Sequence, residues 1–212
     1  MKTSNNRSIF LGLALILLIV ATFMIVSLNY LFDTKVIPSS SVKNLNINGF
    51  FLSKSLPLAS VKFVSTDESL VSTDAFKNHW TLLALGYTQC PDICPMTLLK
   101  LDNVLSNIPI DERPKIAFLS IDIAPENIEK LNDYMEYFNK DFIGLSTTKA
   151  QLGDFFSSLG ASYSIKKSES GSLDIEHSSS IFLISPDKNY VANFPYMLTA
   201  EQISQDYLAI TR

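Results

Sequence analysis

Three short, almost wholly apolar runs constrain this chain most: "TLLALGY" at 81–87, "KIAFLSID" at 115–122 and "SSIFLIS" at 179–185. Apolar runs of this length without alternation are strands buried on both faces. Between and after them the apolar residues recur at helical spacing. In "ENIEKLNDYMEYFN", Ile128, Leu131, Tyr134, Met135 and Phe138 share one face, and Pro125 suits the helix start. "TKAQLGDFFSSLG" offers Thr148 and Gln151 at capping-box spacing, apolar Leu152, Phe155, Phe156 and Leu159, and Gly160 to end the helix. "TAEQISQDYLAI" repeats the device with Thr199 and Gln202. Strands alternating with helices predict an α/β sheet covered on both faces.

Directly after the first run comes "GYTQCPDICPMT", which holds the only two cysteines of the chain, Cys90 and Cys94, each followed by a proline. They stand outside the carboxyl end of a buried strand, where α/β proteins place chemistry. They also open a helix carrying Leu98, Leu101, Val104, Leu105 and Ile108. The N–H groups and dipole of a helix N-terminus favour thiolate over thiol, and Pro95 fits a first helical turn. Residues four apart on a helix hold their Cβ atoms about 5–6 Å apart, so the two sulfurs can converge on one ion or on each other. The pair reads as a structural disulfide, a redox couple or two arms of a metal site. The plain alternative is two ordinary buried thiols. Two thiolates leave a metal site incomplete, and the chain has two histidines to offer. His79 opens the strand that ends near Cys90, so about 20 Å of strand separates it from the thiols, and it reads as a surface or packing residue. His177 lies just ahead of the third apolar run; whether it meets the cysteines depends on how the sheet is assembled.

The front of the chain is different in kind. No charged residue occurs from Ser8 to Phe32, and "IFLGLALILLIVATFMIV" is almost continuously apolar. A helix needs roughly 20 such residues to cross a hydrocarbon core. The run exceeds the apolar core of a cleaved signal peptide and no small-x-small site follows it, so it reads as an uncleaved signal anchor. Lys2 and Arg7 precede it without an acidic residue, which leaves the N-terminus cytoplasmic. The expected organisation is a cytoplasmic N-terminus at 1–8, a transmembrane anchor at 9–32, a polar tether at 33–56 with a short strand near 45–51, and a folded domain at 57–212. All 21 acidic residues and all but two of the 17 basic ones follow the anchor. A mildly acidic exported part without a Lys/Arg cluster does not suit nucleic acid. Two cysteines are too few for a disulfide scaffold.

"LALGYTQCPDICPMTLLKL", followed in order by "FLSIDIAPEN", "FIGLSTT" and "DIEHSSSIFLISPD", resembles the Sco/SenC family from about Pro57 to Arg212. The resemblance implies a thioredoxin-like fold behind a single N-terminal transmembrane helix, on the outer face of a bacterial inner membrane. It implies a metallochaperone that delivers copper, as Cu(I) or Cu(II), to the copper-bearing subunit of cytochrome c oxidase. The implied ligands are Cys90, Cys94 and His177, a set of two soft thiolates and an imidazole that suits copper. Asp122, matching the family's aspartate after the second buried strand, is expected to act on the site through a neighbour or to cap a helix. Asp92 is expected to shape the cysteine loop. Two departures touch these surroundings: the chain reads Asp122-Ile-Ala-Pro125 where the family often has Asp-Pro, and Glu176 stands where Asp commonly precedes the histidine. Oxidation to a disulfide would remove two of three ligands, so a thioredoxin-type thiol reductant is a second expected partner. The rival readings are a thiol–disulfide oxidoreductase using Cys90 and Cys94 as its redox-active pair, and a copper or redox sensor.

Overall fold

The computed structural model describes residues 4–32, 46–66, 70–167 and 173–212, with side chains of the first helix described over 10–24. The chain divides into two compact units, Met1–Asn44 and Leu45–Arg212.

The first unit contains helix α1, Ser4–Phe32, where the apolar run predicts a helix. Among the described residues no helix is long and apolar enough to cross a membrane. The side chains described in α1 cover about 22 Å at 1.5 Å per residue, against a hydrocarbon core of roughly 30 Å.

The second unit is built on an eight-stranded sheet. In chain order its strands are β1 (Phe50–Pro57), β2 (Lys62–Ser65), β3 (Leu70–Ser72), β4 (Thr81–Gly86), β5 (Lys115–Ser120), β6 (Ile143–Ser146), β9 (Ile181–Ile184) and β10 (Asn189–Phe194). β7 (Tyr163–Lys167) and β8 (Leu173–His177) form a separate antiparallel hairpin. The order across the sheet is β1-β10-β9-β4-β5-β6-β2-β3. β4, β5 and β6 run parallel, and the remaining pairs are antiparallel.

Every residue of β4 is buried, Thr81 at its start included, because helices cover both faces of the parallel centre. The pleat divides its apolar residues. Leu82 and Ala84 join Phe118 under helices α2 (Ile93–Ser106), α3 (Ile128–Glu136) and α5 (Ala200–Thr211). Leu83 and Leu85 join Leu119, Val61, Phe63 and helix α4 (Lys149–Ser158) on the other side. There Phe63 meets Phe155 edge to face, ring centroids 5.2 Å apart. Each such fully buried side chain contributes about 1.5–3 kcal/mol.

The helix boundaries largely follow the expected signals. Thr199 and Gln202 close a capping box on α5. Gly160, at φ +62, ends α4 in a left-handed turn, with Ala161 N–H donating to the Phe156 carbonyl and Gly160 N–H to that of Ser157. The capping box expected at Thr148 and Gln151 does not form. Thr148 makes no side-chain cap bond, and the reciprocal acceptor, Gln151 Oε1, is taken by the Lys62 N–H at 2.9 Å and the Thr147 hydroxyl at 3.1 Å.

The tether expected to run through residue 56 also needs correction. Residues 33–45 lie outside the described residues, but Phe50–Pro57 is the edge strand β1, paired with β10. The segment ahead of it is clamped by the buried carboxylate of Asp206 on α5. That group accepts the Asn48 and Gly49 backbone N–H groups and the Asn48 side-chain amide, all within 3.0 Å.

Candidate metal centre

The cysteine loop leaves β4 at Gly86, and a side chain could not be carried there. A Cβ on Gly86 would lie 2.7 Å from the Phe118 ring and 2.8 Å from Cys94 Sγ. The missing side chain lets Cys94 fold back against the end of its own strand. β5 ends level with β4, Gly86 facing Ser120 in the parallel register, so the residues just past β5 lie beside the loop. Asp122 uses that position. Its carboxylate accepts the Thr88 N–H at 3.0 Å, the Thr88 hydroxyl at 2.7 Å and the Ser120 hydroxyl at 2.7 Å. The helix-cap alternative for Asp122 therefore gives way to a clamp on the cysteine loop.

Both cysteines are free thiols, Cys94 buried and Cys90 half-buried at the mouth of the loop. The Cys94 N–H at the start of α2 donates to Cys90 Sγ at 3.4 Å. Burial works against ionisation of Cys90. The N–H groups of Cys94 and Asp92, with the side chains of Cys94 and Tyr87, together bring its thiol below the ordinary value. Burial pushes Cys94 the other way, up to about 12, aided by the neighbouring Cys90 and Asp122 and opposed by the Tyr87 N–H. The two thiols are thus chemically unequal: an accessible, acidic one and an enclosed, neutral one.

His177 reaches them because β9 runs antiparallel to β4, Ala84 pairing with Ile181. The chain must enter β9 at the end where β4 finishes, and His177 is the last residue of β8 before that turn. His177 Nε2 lies 3.8 Å from Cys94 Sγ. Its Nδ1 is 2.9 Å from the Ser178 carbonyl. A carbonyl oxygen can only accept, so Nδ1 carries the proton and the Nε2 lone pair faces the sulfur. The Tyr87 ring stands edge-on to the imidazole, centroids 5.9 Å apart.

The other expected residues divide. Asp92 occupies the N-cap position of α2 without a side-chain cap bond; its backbone N–H is what reaches Cys90, so it shapes the loop. Glu176, on the strand face opposite to its neighbour His177, is not brought to the site; its carboxylate lies 3.7 Å from Lys166 Nζ on exposed surface. His79 precedes β4 at the far end. Burial and then the charge of Lys115 lower its pKa. Among the described residues no group of three or more His, Cys, Asp or Glu side chains is arranged to hold a metal ion; Cys94 and His177 are the pair in contact, with Cys90 one hydrogen bond away. Sequence reading missed Tyr87 and Thr88, although both sit between the buried strand and the first cysteine. It also missed Ser120 at the end of β5.

Central parallel strands, antiparallel neighbours, a cysteine pair opening the helix after the first parallel strand and an imidazole delivered from the far side of the sheet define a thioredoxin-like domain with a thiol–imidazole site. The SCO1/SenC family model matches residues 58–212, and the chain belongs to that family. It is 27% identical over 173 residues to the mitochondrial protein SCO1 homolog 1 of Arabidopsis thaliana, covering 76% of this chain and about half, 50%, of that relative's length. The structure of Bradyrhizobium japonicum ScoI with copper bound superposes with a TM-score of 0.64 at 24% identity, covering 72% of this chain and 98% of that one. BsSco, described as a Sco-family cytochrome c oxidase assembly protein with a disulfide switch, superposes with a TM-score of 0.57 at 21% identity, covering 74% and 96%. At these identities the two structures establish the fold.

Proposed function

We propose that this chain is a copper carrier that loads the copper-bearing subunit of cytochrome c oxidase, with Cys90, Cys94 and His177 holding the ion. The observation that carries the reading is the 3.8 Å approach of His177 Nε2 to Cys94 Sγ with the lone pair turned inward. Two donors on one small ion, with bonds of roughly 2.0 and 2.3 Å as at zinc, stand about 3.5–3.7 Å apart. Thiolates select Cu(I) and imidazole accepts either oxidation state. Rotation of the half-buried Cys90 side chain completes the set. Relatives named for copper binding and for oxidase assembly support the cargo and the recipient.

In this reading Cys90, the more acidic and accessible thiol, makes and breaks its bond to the cargo first. Cys94 and His177 hold the ion until a donor on the recipient replaces them in turn. Asp122 keeps the loop in register through Thr88. A thioredoxin-type reductant keeps both thiols reduced. The apolar sequence around α1, with Lys2 and Arg7 ahead of it, anchors the chain in a bacterial inner membrane. The N-terminus is then cytoplasmic, residues 1–8 precede the anchor at 9–32, and the domain works outside.

A second reading has its own support. An acidic, accessible Cys90 beside an enclosed Cys94 is the asymmetry of a thiol–disulfide reductant. Cys90 would attack a disulfide on the recipient, releasing one of its sulfurs. Cys94 would then displace the second, so that two thiols here become one disulfide and one disulfide there becomes two thiols. Anaerobic titration of the reduced chain with Cu(I) against a competing chelator separates the two. The carrier reading expects one ion per chain and a loss of affinity of about a hundredfold or more, two decades or about 2.8 kcal/mol, for Cys90→Ala, Cys94→Ala and His177→Ala alike. A His177→Ala variant that binds copper as tightly as the parent, yet reduces a disulfide peptide normally, leaves the reductant.

A further inference from the structure

His177 enters the thiol site on an arm of its own. β7 and β8 pair with each other and stand apart from the eight-stranded sheet, with Tyr163 opposite His177 at the base of the hairpin. Hydrogen bonds continue the pairing past that base, from Ser178 N–H to the Ser162 carbonyl at 3.0 Å and from Ser162 N–H to Ser178 Oγ at 3.1 Å. They fix the backbone of His177 and leave its ring free, since the bond from Cβ to an imidazole turns easily through a broad range. The polar contacts of the half-buried ring hold it lightly. One is to the carbonyl of the next residue, at 2.9 Å, and the other is a 3.8 Å approach to a sulfur, a weak partner.

Tyr87 adds the contact that these lack. Its ring centroid lies 5.9 Å from that of the imidazole, with the two planes at 90°. Edge-to-face contact is favourable at this mutual angle, so it fixes the plane of the imidazole as well as its place. The tyrosine ring is itself firmly seated. It follows the last residue of β4 and packs against the apolar clusters on both faces of the sheet. Its backbone carbonyl accepts the Cys90 N–H at 3.3 Å. The same residue therefore meets the cysteine loop through its main chain and the imidazole through its ring.

We propose that Tyr87 is a positioning residue for the carrier site: its ring holds the plane of the His177 imidazole, so that Nδ1–H meets the Ser178 carbonyl and Nε2 faces the Cys94 sulfur. This rests on the carrier reading above. A nitrogen held in its working direction loses less freedom when it takes up a ligand, which strengthens binding. The hydroxyl of Tyr87 has a separate role, as one of the groups that lower the Cys90 thiol.

The test uses the reduced full chain and two variants. Without copper, NMR at a pH where the imidazole is neutral reads the tautomer of His177 and the through-space contact between its protons and those of the Tyr87 ring. We expect that contact, and the Nδ1-protonated tautomer, in the parent chain. Tyr87→Phe keeps the ring and should keep the tautomer. Tyr87→Leu removes the ring and should give nitrogen shifts of mixed tautomers, because the proton's place is set by the Ser178 hydrogen bond. Cu(I) affinity, read by chelator competition, should be about fivefold weaker for Tyr87→Leu than for Tyr87→Phe, the worth of one aromatic pair; comparing the two variants removes the hydroxyl from the difference. A single tautomer in Tyr87→Leu, mixed tautomers in Tyr87→Phe, or equal affinities overturn the proposal. So does the absence of ring-to-ring contact in the parent chain, which decides the matter even where Tyr87→Leu does not fold. A parent chain that binds no Cu(I) overturns the carrier reading, whereas one that binds Cu(I) without the ring contact overturns this inference alone.

Discussion

Gly86 and Cys94 show how closely the site is built into the sheet. Because a Cβ at Gly86 would overlap both Phe118 and the Cys94 sulfur, Gly86→Ala must push α2 away from the strand end. Overpacking of this sort costs about 1–3 kcal/mol. The expected outcome is a drop in the thermal midpoint accompanied by faster alkylation of Cys94; an unchanged midpoint and a still-protected thiol would contradict the packing described. Cys94 also makes a pH prediction. Its pKa rises from 9.0 in the unfolded chain to about 12 in the fold, so its contribution to stability is complete below pH 9 and is lost as pH climbs from 9 towards 12. Cys90, shifted the opposite way, contributes as pH rises towards 9. The parent chain should therefore lose stability between pH 9 and 12 more steeply than Cys94→Ala, measured by denaturant unfolding at each pH. Parallel curves would contradict the burial of a neutral thiol. At this scale the sequence was readable for groups that announce their chemistry. Cys90, Cys94 and His177 are the only candidates of their types in plausible places. Thr88, Ser120 and Tyr87 were not readable, since ordinary residues acquire their roles only when β4 and β5 end side by side.

Among elements, β4, β5 and β9 were legible because burial on both faces leaves continuous apolar runs. β1 was legible only as a short strand set too early, at 45–51. Its sequence "FFLSKSLP" mixes apolar and polar residues at an exposed sheet edge, and its pairing with β10 depends on contacts from the other end of the chain. The Asp206 carboxylate supplies one of these, gathering the Asn48 and Gly49 N–H groups against α5. Asp206→Ala removes the charged acceptor shared by the exposed Asn48 and half-buried Gly49 and should destabilise the domain by about 1.5–3 kcal/mol, the worth of a hydrogen bond to a charged group. Hydrogen exchange localises the effect: amides of β1 should lose protection ahead of those in β4 and β5. Uniform loss across the sheet, or none, would remove Asp206 as the anchor of the edge strand. The Thr148–Gln151 spacing teaches the complementary lesson, that a local cap signal yields when a neighbouring strand offers the glutamine a better partner in Lys62 N–H.

For the molecule as a whole, the antiparallel course of β9 past β4 is the decisive feature. It carries the turn after β8 across to the carboxyl end of β4, and so brings an imidazole from residue 177 to thiols at 90 and 94. Periodicity could not supply this, because alternating strands and helices are compatible with more than one sheet order. The family resemblance anticipated it, and the register explains it. The most direct test of the account is X-ray absorption at the copper edge on the reduced chain loaded with one equivalent of Cu(I). The account predicts two sulfur scatterers and one imidazole nitrogen, with the nitrogen contribution abolished in His177→Ala. A spectrum of sulfur alone, unchanged by that substitution, would contradict it.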